Sequence, residues 1–279
     1  ELYQYVNGEF KAIGIVPPFT WTVSMADVTY DSKSFTVTGN GQYNLDLAFN
    51  DDGTKMIVLI FTTDTLYQYS LSTAWDVSTA SYDNVSFSLS SQDGTPYSFT
   101  MTPDGTKIIV QGNSNSSIFQ YSLSTAFDLS TISYDSVSFS VSTSHLSNGK
   151  VRFGQSGEKM FLKGGSTVYQ YSLSTAYDIS TLSYDNVSFS VSSQQSSAIA
   201  FAFDLSGTKM YVVGLGNTNV HQYSLSTAFD ISTASYDNVT LNYSSQVSKG
   251  GPMVFSQSGH KFYLTTDLND NIYQYSTGL

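Results

Sequence analysis

The sequence contains no cysteine, which excludes disulfides and thiolate metal sites and leaves the redox compartment open. Only 12% of its 279 residues are charged, and cations are scarce: 11 Lys and Arg stand against 22 Asp and Glu, a net charge of −11. Nucleic-acid binding needs a cationic footprint, so no nucleic-acid partner is expected. No apolar run approaches the roughly 18–20 residues of a membrane helix, so membrane insertion is not expected. No secretory leader is visible and the chain starts at Glu1, as in a processed chain or a piece of a longer one. Serine, threonine, asparagine and aromatics abound instead, a β-rich composition with a polar surface.

These residues are arranged in a repeat. A Gln-Tyr pair recurs at Tyr69, Tyr121, Tyr171, Tyr223 and Tyr275, at intervals of 52, 50, 52 and 52 residues. Four long copies follow the pattern "YQYSLSTAWDVSTASYDNVSFSLSS", and a second word precedes each pair: "DDGTKMIV", "PDGTKIIV", "QSGEKMFL", "LSGTKMYV" and "QSGHKFYL". Each unit reads as four strands, A to D. "AIAFAF" is a strand A, apolar on both faces and so covered on both. "KMYVVG" is a strand B, "SIFQYSL" a strand C and "VSFSV" a strand D. Strand D alternates Val85, Phe87 and Leu89 with Ser86, Ser88 and Ser90, so one of its faces is wet. Four-stranded units at this period predict an all-β, five-bladed β-propeller with D outermost. Trp75-Asp76 resembles a WD signature, but the same position holds Phe127, Tyr177 and Phe229; a turn built by Ser, Thr and Asp side chains is the better reading.

The last unit supplies strands A (250–256), B (260–266) and C (270–276) and no D. "VTYDSKSFTVTG" near the N-terminus matches "ASYDNVSFSVSS". Residues 29–38 are therefore expected to complete the last blade, giving a propeller over 29–279. Closure spares buried strand edges whose unpaired groups would each cost about 1–3 kcal/mol. Residues 1–28 have no slot in the ring and are assigned to an accessory segment, a contact for an oligomer or larger assembly.

These words resemble β-propeller repeats of the "SLSTAWDVSTASYD…DGTKMYV" kind in bacteriophage tail and other structural proteins and in bacterial surface proteins. The resemblance covers residues 29–275. It implies the propeller fold, a virion or extracellular surface location, and an attachment role rather than catalysis.

In such a ring the A–B and C–D connections share one face, and here they are repetitive. The D–A and B–C loops share the other face and differ in every blade. Variation points to recognition, so ligand contacts are expected on the varied face. The candidates are Gln92, Tyr97, Asn113, Asn115, His145, Asn148, Asn217, Asn219, Asp267 and Asn269, which suit a glycan or a protein surface. Within the A strands, Asp46, Lys150 and Arg152 are the charges expected in the channel, where a structural ion pair is the favoured reading.

Propellers also host glycosidases, which need two carboxyls roughly 5–10 Å apart. Only Asp46 is acidic in a central register, so the expectation is no enzyme and no cofactor. His145, His221 and His260 fall in a D–A loop, in the Gln-Tyr word and beside the repeated lysine. These registers do not converge on a metal, and no calcium-loop spacing occurs. Lys55, Lys107, Lys159, Lys209 and Lys261 recur with Asp83, Asp135, Asp185, Asp237 and Asp31, which predicts a Lys–Asp contact within or between blades. The leading functional reading is a recognition or attachment module. The alternative is a structural subunit of a larger assembly, and a glycosidase stands behind both.

Overall fold

The computed structural model describes residues 22–37, 46–147, 149–266 and 270–279 with side chains, and 2–6, 9–13, 44 and 45 as backbone. Five antiparallel four-stranded sheets form a ring. In the first blade, strands A to D are Asn44–Phe49, Lys55–Ile60, Thr65–Leu71 and Ala80–Ser88. Each A strand contacts the next around the channel, and the fifth contacts the first. The fifth blade joins Met253–Phe255, Lys261–Thr265 and Asn271–Ser276 to Thr29–Thr36. Ile272 pairs with Phe35 and Ser276 with Thr29. The predicted closure by an N-terminal D strand is therefore the one observed.

The closing segment begins earlier than residue 29. Met25 N donates to Gln222 Oε1 at 2.9 Å, and Tyr211 Oη donates to Val23 O at 2.6 Å. Val23 and Met25 are 0% and 1% exposed. These bonds match Val77 N to Gln274 Oε1 and Tyr263 Oη to Trp75 O in the first blade. Residues 22–28, which sequence reasoning placed in the accessory segment, thus form the C–D connection of blade five. Upstream, Leu2–Val6 and Glu9–Ile13 pair as an antiparallel hairpin.

One device recurs around the ring. The glutamine of each Gln-Tyr pair donates through Nε2 to the aspartate of its own D strand: Gln68 to Asp83, Gln120 to Asp135, Gln170 to Asp185, Gln222 to Asp237 and Gln274 to Asp31. Its Oε1 accepts a backbone N–H from the next blade: Leu129, Ile179, Ile231, Met25 and Val77 in turn. A buried amide satisfied at both ends fixes register within a blade and spacing between blades.

The turn reading of the "STA-aromatic-Asp" word holds. Asp76, Asp128, Asp178 and Asp230 each accept the N–H two residues on and cap a single 3-10 turn. The preceding aromatic is left-handed, with φ 64° at Trp75 and 57° at Phe127. Its ring lies on the A–B-turn glycine, where a Cβ on Gly53 would sit 2.2 Å from the Trp75 ring. The two repeated words are thus halves of one contact.

The Lys–Asp contact forms within three blades. Lys159–Asp185, Lys209–Asp237 and Lys261–Asp31 lie at 2.7, 2.8 and 2.7 Å. Lys107 reaches across to Tyr177 O at 3.4 Å instead.

Candidate functional site at the channel mouth

The channel is lined by the A strands, whose side chains follow one register per layer. Seven residues before each A–B-turn glycine stand Asp46, Ser98, Lys150, Ala200 and Pro252; five before it stand Ala48, Thr100, Arg152, Ala202 and Val254. Strand alternation gives both layers the same orientation.

Asp46 is wholly buried and Arg152 is 14% exposed. Arg152 donates to both Asp46 carboxylate oxygens, Nη1 to Oδ2 at 3.0 Å and Nη2 to Oδ1 at 2.8 Å. Nη1 also reaches the carbonyls of Phe99 and Val151. Ser98 Oγ and the amides of Leu47 and Phe99 complete the Asp46 shell. Burial acts to raise the Asp46 pKa, but the charges of Arg152 and Lys150 and the hydrogen bonds outweigh it. The carboxylate stays ionised below its ordinary range and is unsuited to proton donation. The ion pair expected among the channel charges is present, linking blades one and three.

Lys150 and Lys163 are cross-strand partners in blade three, each 1% exposed. Lys150 Nζ donates to Tyr97 O in blade two and Lys163 Nζ to Gly165 O and Ala198 O, the latter in blade four. Burial pushes their amines down to about 8 and about 7. The sequence reading passed over Lys163 because it sits on a B strand. Leu59 and Val213 hold its register in blades one and four, and that contrast was the available signal.

Three adjoining cavities of about 190, 550 and 180 Å³ open at the channel mouth, and all three touch Arg152 and Gln257. Their walls carry one large side chain per blade, Phe49, Met101, Phe153, Phe203 and Phe255; the rim carries Asp51, Pro103, Gln155, Leu205 and Gln257. This is the face of the uniform A–B turns, opposite the varied loops. The concavity arises from bringing five turns into a ring, and its chemistry from the few turn positions that differ.

The varied-face candidates line none of these three cavities. Several bond to one another or pin their own loops. Asn115 donates to Gln92 O, and Gln92 Oε1 accepts from buried Tyr121. His145 does the equivalent job in blade three, bonding Tyr171 Oη at 2.6 Å and stacking on Tyr169. Asn217 serves His221 and the Asn219 amide. Asn113 bonds through its amide to Thr95 O, and Tyr97 packs edge-on against Phe61. Asn148, Asp267 and Asn269 lie outside the described residues. His221 takes the place of Tyr67 beside the retained Gln222 and meets Tyr236. Among the described residues no group of three or more His, Asp or Glu is placed to hold a metal, and no helix is long and apolar enough to cross a membrane.

No protein-family model matches the chain, and no curated protein does. Solved structures do. A protein from Lactobacillus plantarum superposes with TM-score 0.52 at 13% identity, over 84% of this chain and 67% of its own. A "putative 6-phosphogluconolactonase" from Bacteroides uniformis gives 0.50 at 12% identity, over 87% and 74%. One from Bacteroides fragilis gives 0.50 at 13%, over 84% and 71%. At this identity the likeness is one of fold alone. It also overturns one expectation from the sequence. Neighbours of this fold bear enzyme names, so the reading of the chain as no enzyme does not stand.

Proposed function

We propose that the ring is a recognition module which seats part of a surface glycan in the channel mouth, and that it is carried on a virion or cell surface. The observation behind this reading is the set of three contiguous cavities sharing Arg152 and Gln257. A concave, mostly apolar wall with a few convergent polar groups is the usual form of a small-ligand site. Phenyl faces suit the apolar side of a sugar ring, and amide and guanidinium groups suit its oxygens. Among the described residues Arg152 Nη2 makes a single hydrogen bond, to Asp46, which leaves one N–H for a ligand. The repeat words support the surface location through their resemblance to phage and bacterial surface repeats.

Trp75 lines the cavity of about 190 Å³ and is one of two tryptophans. In a Trp21→Phe background it reports directly on the mouth. A panel of oligosaccharides, including acidic and phosphorylated sugars, is expected to change its emission saturably. Gln257→Ala is expected to weaken that response about 3–10-fold, the loss of one hydrogen bond. A panel that binds the varied face, or does not bind at all, would sink the mouth as the site. The second outcome would favour the structural-subunit alternative.

A further inference from the structure

One of the three cavities, of about 190 Å³, lies among blades one, two and five. Its walls include the rings of Phe49, Trp75, Phe127 and Phe255, and Asp51 stands at its edge. Phe49 meets Trp75 at 5.6 Å between ring centroids, so part of the wall is a continuous aromatic surface. Asp51 is exposed; among the described residues its carboxylate makes no ion pair, and unlike Asp52 and Asp104 it accepts no hydrogen bond. At the floor, the charge of Arg152 is matched by buried Asp46. The mouth therefore combines π faces with one unsatisfied negative group, in a protein of net charge −11.

We propose, resting on the mouth as the ligand site, that this cavity takes an alkylammonium group of the ligand. Aromatic faces attract cations through the ring quadrupole. The free Asp51 carboxylate supplies the counter-charge, and the net negative field raises the local concentration of cations. At about 30 Å³ per water, the cavity holds roughly six waters, enough room for a small substituted ammonium. Burial and the neighbouring charges of Asp52 and Asp104 raise the Asp51 pKa, a strain that a bound cation relieves. Two sources carry this chemistry: an amino sugar, and a quaternary ammonium headgroup of the choline type.

The test titrates choline chloride, glucosamine, the neutral carbon isostere of choline and N-acetylglucosamine against the full chain carrying Trp21→Phe. Trp75 emission is read at constant ionic strength set with sodium chloride. At least one cation is expected to bind about tenfold or more tightly than its neutral counterpart, in line with desolvated cation–π contacts. Asp51→Asn is expected to abolish that preference, and Asp51→Glu to retain it. A response to choline alone assigns the quaternary source, and one to glucosamine alone the amino sugar. Neutral compounds binding as well as the cations, or an unchanged preference in Asp51→Asn, would overturn the ammonium assignment. If neutral sugars alone perturb Trp75, the assignment fails and the mouth reading stands; if nothing perturbs it, both fail.

Discussion

Lys261 Nζ lies 2.7 Å from Asp31 Oδ2, across 230 positions of chain. Asp31 also accepts from Gln274 and Ser276, so one carboxylate joins the last B and C strands to the first D strand. The matching aspartate in blade four holds Lys209, Gln222 and Ser224. The seam repeats the bonding of an uninterrupted blade.

Asp31→Ala is expected to lower stability by about 1–3 kcal/mol, since Gln274 and Ser276 lose a charged acceptor. Burial acts to raise the Asp31 pKa, but the hydrogen bonds from Lys261, Ser276 and Gln274 bring it below the ordinary value. Its contribution is therefore present above the unfolded carboxylate pKa of about 3.9 and lost as pH falls through the folded value. Urea melts at pH 7 and pH 3 check this: the gap between wild type and Asp31→Ala should narrow at pH 3. An equal gap at both would count against the linkage.

Lys163 is a stability liability near neutral pH. Its folded pKa is about 7 because burial disfavours the ammonium, against about 10.4 unfolded. The unfolded chain binds the proton more readily between those values, so this residue makes stability rise with pH across that window. Below pH 7 the penalty is constant. Lys163→Leu, which copies Leu59 of blade one, should be most favourable relative to wild type near pH 7. Its advantage should shrink toward pH 10 in chemical denaturation; a pH-independent difference would contradict the buried charge.

The Asp46–Arg152 pair makes a double-mutant cycle informative. Arg152→Ala leaves a wholly buried carboxylate without its bidentate partner, and a loss of about 3–5 kcal/mol is expected. Blade four carries Ala200 and Ala202 at the same two registers. Asp46→Ala with Arg152→Ala should therefore cost less than the sum of the single changes. Additive losses would mean that the pair is not coupled. Asp46→Asn also bears on catalysis: turnover of a glycoside abolished by this change would revive the glycosidase reading.

The ring was legible in the sequence because its signals are periodic. The 50–52-residue spacing, the clean alternation of "VSFSV" and the match of "YDSKSF" to "YDNVSF" carried the blade count and the closure. The contribution of residues 22–28 was not legible, because Val23 and Ser24 stand where the other blades carry an aromatic and aspartate. What those residues keep is a backbone carbonyl and an amide, which have no sequence signature. The role of the repeated glutamine was hidden for the same reason, since its inter-blade partner is a backbone N–H. The mouth was missed because repeated turns read as scaffold. A cavity made by five-fold convergence belongs to no single turn, and only Asp51, Arg152 and a few neighbours break the uniformity.

The glutamine latch has a topological consequence. Every blade grips the following one through the same amide bond, and the fifth grips the first in the same way. No junction in the circuit is chemically privileged. Joining residue 279 to residue 22 and reopening the chain between strands C and D of another blade should yield the same propeller, with the break moved around the circle and the order of assembly changed.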